Sequence, residues 1–257
     1  MYNEERSLSV LKHNDLIQKT RYELTVEEQK ILLYVISKIK PTDNKLTEYN
    51  IPILDILKLL NINDGGKNYQ YIKHTIKKLS DKSFWLFVDN KEYLVRWLEH
   101  IVIDKDTATI NVRIHEQLAP YLLQVKSRFT EYQIYNILAM RGKYSIRLYE
   151  ILKSYAYLHE VDLSINDFRK KIGIENKYQD FRTVKQFVLE PAKAEINDFT
   201  DLNIEYKAIR KSNRVTAIHF DIRLVETEQL ILPLSEYVNT ILDERKEERK
   251  KKWNKDI

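Results

Sequence analysis

Arg182, Lys185, Gln186 and Lys193 are spread along "FRTVKQFVLEPAKAEIN", residues 181–197, with Gln179 just ahead of them. If the stretch is helical, a rotation of about 100° per residue puts Gln179, Arg182, Gln186 and Lys193 opposite the apolar Val184, Val188 and Ala192. Lys185 falls on the flank. A guanidinium and a carboxamide on one wet face can each form paired hydrogen bonds to a planar partner: arginine to the O6/N7 edge of guanine, glutamine to N6/N7 of adenine. Lysine is a point charge, better suited to a phosphate. Downstream, "IRKSNR" gathers Arg210, Lys211 and Arg214, a cluster suited to the nucleic-acid backbone. Upstream, "NYQYIKHTIKKLSDKSF" offers Gln70, Lys73, His74, Lys77 and Lys78 on a second basic face. That face is less specific, because consecutive lysines are as typical of an ordinary solvated surface.

Other chemistries find little support. There is no cysteine, so no disulfide framework and no thiolate metal site. His13, His74, His100, His115, His159 and His219 are scattered without metal-ligand spacing along the chain, and no metal is expected. "RGKYS" resembles the end of a phosphate-binding loop, but Ile137 stands where the motif needs glycine and Tyr144 follows Lys143 directly. No nucleotide or other cofactor is expected. A tyrosine among the 17 is the nucleophile that DNA nicking would need, yet the histidine pair that holds the metal for such a reaction is missing from the sequence. The chain therefore reads as a binding protein, not an enzyme.

The elements that must position these residues occur twice. "TVEEQKILLYVISKI" opens with Thr25 and Glu28 at capping-box spacing and buries Ile31, Leu32, Val35 and Ile39. "IPILDILKLLNI" is a short helix with Pro52 suited to its first turn and Asn61 to a left-handed end. The stretch from Tyr69 is a third helix, burying Tyr69, Ile72, Ile76 and Leu79. After it, β-branched and aromatic residues are broken by "DNKE" and "DKDT", turns between strands. In the second half "TEYQIYNILAM" offers another cap, Thr130 with Gln133, and "KYSIRLYEILKSYAYL" a long amphipathic helix. "LSINDFRKKIGI" then matches the earlier short helix, Ile165 answering Ile53 and Gly173 answering Asn61 at the same offset. A helix starting near Tyr178 and a hairpin tipped by "RKSN" complete the set. Pro191 interrupts that helix, so a kink or loosened turn is expected, with its ring on the buried side.

Three helices and a hairpin, twice over, predict an α+β chain of two tandem winged helix-turn-helix domains, mainly helical with β-hairpin wings. The borders are placed at 1–124, for dimerisation and backbone contacts, and 125–226, for the main sequence reading. The tail, 227–257, is charged in both signs and is expected to be frayed or disordered. At 257 residues and 43% hydrophobic content, two ordinary cores are affordable in size. The net charge of +5 and a pI near 9.0 permit a nucleic-acid partner without requiring one. "MYNEERSLSVLKHNDL" is too polar for a signal peptide and no membrane-length apolar run occurs, which predicts a cytoplasmic protein.

Several stretches, in order, resemble one family. "NDLIQKTRYELTVEEQKILLYVISKIKP", "KYSIRLYEILKSY" and "YQDFRTVKQFVLEPAKAEINDFTDLNIEYKAIRKSNRVTAIHFDI", spread over residues 13–224, resemble the theta-type plasmid replication initiators, the Rep proteins with tandem winged helices that bind iteron repeats. The resemblance implies a protein that binds repeated origin sites as a monomer, helps to melt A·T-rich DNA and recruits the host replicative helicase with its loader. It also implies a homodimer, formed through the first winged helix, that represses its own gene. Most sequence reading would fall to the second winged helix, where Arg182, Lys185 and Gln186 lie. Some relatives carry arginines where this chain has Lys185, Gln186 and Phe187, so a base preference does not transfer. A dimeric winged-helix transcriptional regulator is the alternative reading.

Overall fold

The computed structural model describes residues 8–40, 42–62 and 65–225. The charged tail expected at 227–257 lies outside them. The described residues open with strand β1 (Ser9–His13), the one-turn helix α1 (Asn14–Gln18) and the short strand β2 (Thr20–Arg21). Helix α2 (Val26–Ile36) begins as its spacing predicts. The Thr25 hydroxyl accepts the Glu28 amide, and the Glu28 carboxylate accepts the Thr25 amide. Strand β3 (Glu48–Pro52) runs straight into α3 (Ile53–Leu60), and α4 (Gly66–Asp81) follows. Two hairpins come next: β4 (Ser83–Val88) with β5 (Lys91–Arg96), then β6 (Leu98–Asp104) with β7 (Thr109–Ile114), turning at "DNKE" and "DKDT" as expected. Helix α5 (Ala119–Leu122), strand β8 (Phe129–Gln133) and helix α6 (Tyr135–Leu138) lead to the second half. There α7 (Lys143–Lys153), β9 (Glu160–Ser164), α8 (Ile165–Ile172), α9 (Phe181–Val184), α10 (Glu190–Phe199), β10 (Leu202–Lys211) and β11 (Arg214–Leu224) follow in turn.

Both halves share one topology. In each, a strand between the first and second helices pairs with the last strand of a hairpin, giving the sheets β3-β7-β6 and β9-β11-β10. Each second helix is eight residues long and ends in a left-handed residue, Asn61 at φ 57° or Gly173 at φ 75°. Asparagine and glycine tolerate that conformation best, so the chain reverses there and the third helix starts beside the second. These are two tandem winged helices.

Three expectations need correction. Thr130 and Gln133 do not cap a helix. They belong to β8, which alternates exposed and buried residues and pairs antiparallel with β1; the Thr130 hydroxyl donates instead to the side-chain oxygen of Asn14 at 2.6 Å. That pairing ties the start of the chain to residues beyond 124. Both turns of the first half stand where expected, but they close two hairpins where the repeat of three helices and a hairpin counts one. The wing of that half is β6–β7, whereas β4–β5 forms a separate sheet with β2, packed through stacked Phe84 and Trp97 rings 4.0 Å apart. Finally, the helix from Lys143 stops at Lys153, and only a 3-10 turn, Ala156–Leu158, continues it.

Helix α7 sits at the junction of the two halves. Its Arg147 is 3% exposed and donates to the carbonyls of Ile17 (2.7 Å), Thr20 (3.1 Å) and Lys171 (3.0 Å), and to the Tyr22 hydroxyl (3.0 Å). One turn later Glu150, 1% exposed, forms an ion pair with Lys12 of β1 and accepts the Tyr132 hydroxyl of β8 at 2.6 Å. Burial alone would push the Glu150 carboxyl up; the Lys12 and Arg147 charges outweigh it and hold the group below the ordinary carboxylate range.

Removing one partner of such a buried network leaves the others desolvated and unpaired. Arg147→Met is expected to cost about 3–5 kcal/mol of unfolding free energy, read by urea denaturation at neutral pH. The Glu150 contribution is complete above the ordinary value of 4.5 and is lost as pH falls through its lower folded value. Acid unfolding of Glu150→Gln, followed by circular dichroism, should therefore show a shallower loss of stability below pH 4.5 than the parent chain.

Candidate nucleic-acid interface

Arg169, on the last turn of α8, builds the turn that presents the third helix. Its guanidinium donates to the carbonyls of Lys177 (2.9 Å), Tyr178 (2.6 Å) and Gln179 (3.1 Å), gathering a loop that has no regular ladder of its own. Tyr178 takes a left-handed conformation there, at φ 52°. The helix expected from Tyr178 consequently begins three residues later, at Phe181. Asp180 is its N-cap, and its carboxylate accepts the Thr183 amide at 2.9 Å, which holds that carboxyl below its ordinary range. Gln179 thus lies in the turn rather than on the helix.

Pro191 is accommodated differently from the expected buried kink. Between α9 and α10, residues Lys185–Leu189 form a π-turn in which the Glu190 amide bonds to the Lys185 carbonyl, five residues back. Pro191 then occupies the first turn of α10, where an absent N–H is harmless, and its ring is exposed. The loosened turn is present; the buried ring is not. One extra residue in the turn shifts the apolar stripe by a position, so that Val184, Val188, Leu189, Ala192 and Ile196 are all buried. Lys185, Gln186 and Phe187 are left exposed in succession.

Side-chain contacts fix α10 against the wing. Asn197 donates to the Ile204 carbonyl (3.1 Å) and accepts its amide (2.7 Å), extending the edge of β10. The Tyr206 hydroxyl donates to Glu190 at 2.6 Å, a bond that holds the Glu190 carboxyl below its ordinary range. Lys193, placed on the wet face by the regular wheel, is pinned to Glu205 at 2.6 Å on the wing side of the π-turn. At the other end, Glu195 accepts the amides of Arg141 and Gly142, both at 3.0 Å, and so satisfies the N-terminus of α7 from within the chain. The glycine–lysine pair that resembles a phosphate loop is thus already occupied by a carboxylate.

Gln179, Arg182, Lys185, Arg210 and Arg214 come together with Arg169 around one groove of about 660 Å³ between the third helix and the wing. Lys211 and Arg214 face each other across the wing tip, where Ser212 adopts φ 54°. Gln186 is exposed on the π-turn, outside the groove lining. In the first half, Gln70, Lys73, His74 and Lys77 line a groove of about 400 Å³ against Ile101 and Ile103 of the wing. Lys77 also pairs with Asp81 at 2.7 Å, and Lys78 is exposed beside the groove. The sequence did not mark Arg169, whose partners are loop carbonyls, nor Phe187, a 51% exposed ring stacked on Tyr178 at 5.7 Å.

Comparison with known proteins places this geometry. Residues 9–153 match the first winged helix of the initiator replication proteins, and residues 164–222 match the second winged helix of the initiator Rep proteins. The chain belongs to the initiator Rep family. A replication initiation protein of Escherichia coli is 23% identical over 243 residues, spanning 88% of this Rep chain and 73% of that one. The Pi initiator protein, solved in complex with iteron DNA, shares the fold with a TM-score of 0.73 at 18% identity, over 86% of this chain and 99% of that one. No helix among the described residues is long and apolar enough to cross a membrane.

Hydrogen bonds from a charged donor contribute about 1.5–3 kcal/mol each, so losing those of Arg169 should free the turn without unfolding the domain. In Arg169→Met, the amides of residues 177–180 are expected to exchange with deuterium about tenfold faster or more, while those of α7 keep their protection.

Proposed function

We propose that this chain is a plasmid replication initiator that binds double-stranded origin DNA at repeated sites through its second winged helix, without covalent chemistry. The groove that unites Arg182, Lys185 and Gln179 of the helix-turn-helix with Arg210 and Arg214 of the wing supports the reading most directly. A helix entering the major groove and a basic hairpin beside it divide the work: side chains near the helix start meet base edges, and the tip meets phosphates. The first winged helix offers a similar but lesser face through Gln70, Lys73, His74, Lys77 and Lys78, suited to backbone contact. Family membership extends the proposal to opening of adjacent DNA, recruitment of the host helicase, and a homodimer in equilibrium with monomer that represses the protein's own gene.

Mobility shifts on DNA flanking the gene test the reading. Stepwise occupancy of several direct repeats is expected; a single complex on a palindrome would instead indicate a dimeric transcriptional regulator. On the specific site Arg182→Ala and Gln186→Ala should each cost about 1–3 kcal/mol and relax base preference at one position. Lys211→Ala should weaken binding to specific and random DNA alike and lower the salt dependence by roughly one counterion. Equal losses on both DNAs for Arg182→Ala would reassign that residue to the backbone.

A further inference from the structure

The outer face of the second wing sheet, turned away from the helices, carries a group that DNA binding does not use. His219 and Asp221 alternate along β11, and each has an acidic partner directly across on β9: Asp162 opposite His219, and Glu160 opposite Asp221. The His219 ring is 25% exposed, and its Nδ1 lies 2.7 Å from Asp162. That contact fixes the ring and leaves Nε2 directed at the other two carboxylates. Nε2 is 3.4 Å from Asp221 and 3.9 Å from Glu160, and the donor atoms of the three residues all lie within 4.8 Å of one another.

These separations are long for N–H···O hydrogen bonds, which cluster near 2.9–3.0 Å. The 3.4 Å separation suits a different geometry, and a small turn of the exposed Glu160 side chain brings the third ligand to match. Two ligands held about 2.1 Å from one tetrahedral ion lie about 3.4 Å apart. A histidine that presents Nε2 while its other ring nitrogen is held by a carboxylate is the usual orientation of a metal-binding imidazole. One imidazole with two carboxylates favours a first-row transition dication such as zinc over magnesium or calcium, which prefer oxygen alone. Of the neighbouring cations, Lys207 is 78% exposed and only 3.8 Å from Asp221, free to swing away, and Lys193 is engaged by Glu205.

We propose that Glu160, His219 and Asp221 form a zinc-type cation site, with Asp162 as the residue that positions the histidine. The ion would join β9 to β11 just ahead of Ser164, the cap of α8, and so stiffen the sheet that carries the helix-turn-helix. The site is independent of the DNA-binding reading.

Isothermal titration of the full, untagged and chelator-treated chain with zinc chloride tests it. One saturable site of micromolar strength is expected, accompanied by a rise in melting temperature. His219→Gln should abolish both, Glu160→Gln and Asp221→Asn should each weaken binding about tenfold or more, and Asp162→Asn about 10–100-fold. His100→Gln should bind as the parent does. Cobalt(II) provides a second measurement: its visible absorption should report a nitrogen–oxygen site in the parent and not in His219→Gln. No saturable zinc binding up to millimolar concentration, or unchanged binding in His219→Gln, would overturn the proposal. Should His219→Gln fail to fold by circular dichroism, Glu160→Gln decides, and parental affinity there overturns it equally.

Discussion

A guanidinium buried as deeply as that of Arg147 must find a partner for each of its donors, and that demand organises the molecule. Its donors are met by carbonyls from both sides of the chain: Ile17 and Thr20 from the N-terminal segment, Lys171 from the second helix of the second winged helix. The Tyr22 ring lies under the same guanidinium at 4.4 Å, and the Tyr22 hydroxyl also donates to Glu150 at 3.3 Å. Lys171 returns the contact by donating to the Gln18 carbonyl at 2.5 Å. The segment from Ser9 to Thr20 is therefore tied to β8, α7 and α8 as well as to the helices that follow it. The two winged helices share a polar keystone instead of meeting only through a linker.

From that keystone, order passes outward along helices. α7 is held at its N-terminus by Glu195 and at its C-terminal end by Lys153, which pairs with Asp201 at 2.6 Å. Both partners belong to the segment that runs from α10 into β10. The third helix is thus clamped to α7 on one side and to the wing, through Asn197 and Tyr206, on the other. The exposed edge from Arg182 to Phe187 carries lighter ties, an ion pair of Lys185 with Glu190 at 3.5 Å and the stacking of Phe187 on Tyr178. A binding surface is useful when its side chains are presented by rigid backbone, and here the clamps provide that rigidity while the groove stays open.

What the sequence made legible were features written locally. The Thr25–Glu28 cap, the paired short helices with Asn61 and Gly173 at their ends, and the Ser212 turn each depend on residues within a few positions of one another. Strands β3 and β9 escaped because five residues with two apolar positions, Tyr49 and Ile51 or Val161 and Leu163, carry too weak an alternation alone. Thr130 was misread because threonine followed three residues later by glutamine fits a cap and a strand equally; β1, over a hundred residues earlier, decides between them. Among the candidate site residues, Arg182, Lys185, Arg210 and Arg214, chosen by type and spacing, line one groove. Lys193 lies outside that groove and pairs with Glu205, because the wheel assumed one helical pitch and the π-turn breaks it. The His219 group was invisible to a search along the chain, since its spacing exists only across paired strands.

The π-turn at Lys185–Leu189 has a meaning for how such a protein diversifies. It stores one residue more than a regular helix of that reach would hold, so the third helix behaves as if an insertion had been absorbed without lengthening it. The buried Val184 and Ala192 anchor the two flanks, and Glu190 ties the helix to the wing through Tyr206. A change of one residue between Val184 and Ala192 would therefore turn the exposed Lys185, Gln186 and Phe187 about the helix axis while the wing contact at Glu190 stayed in place, a change of presentation that no point substitution offers.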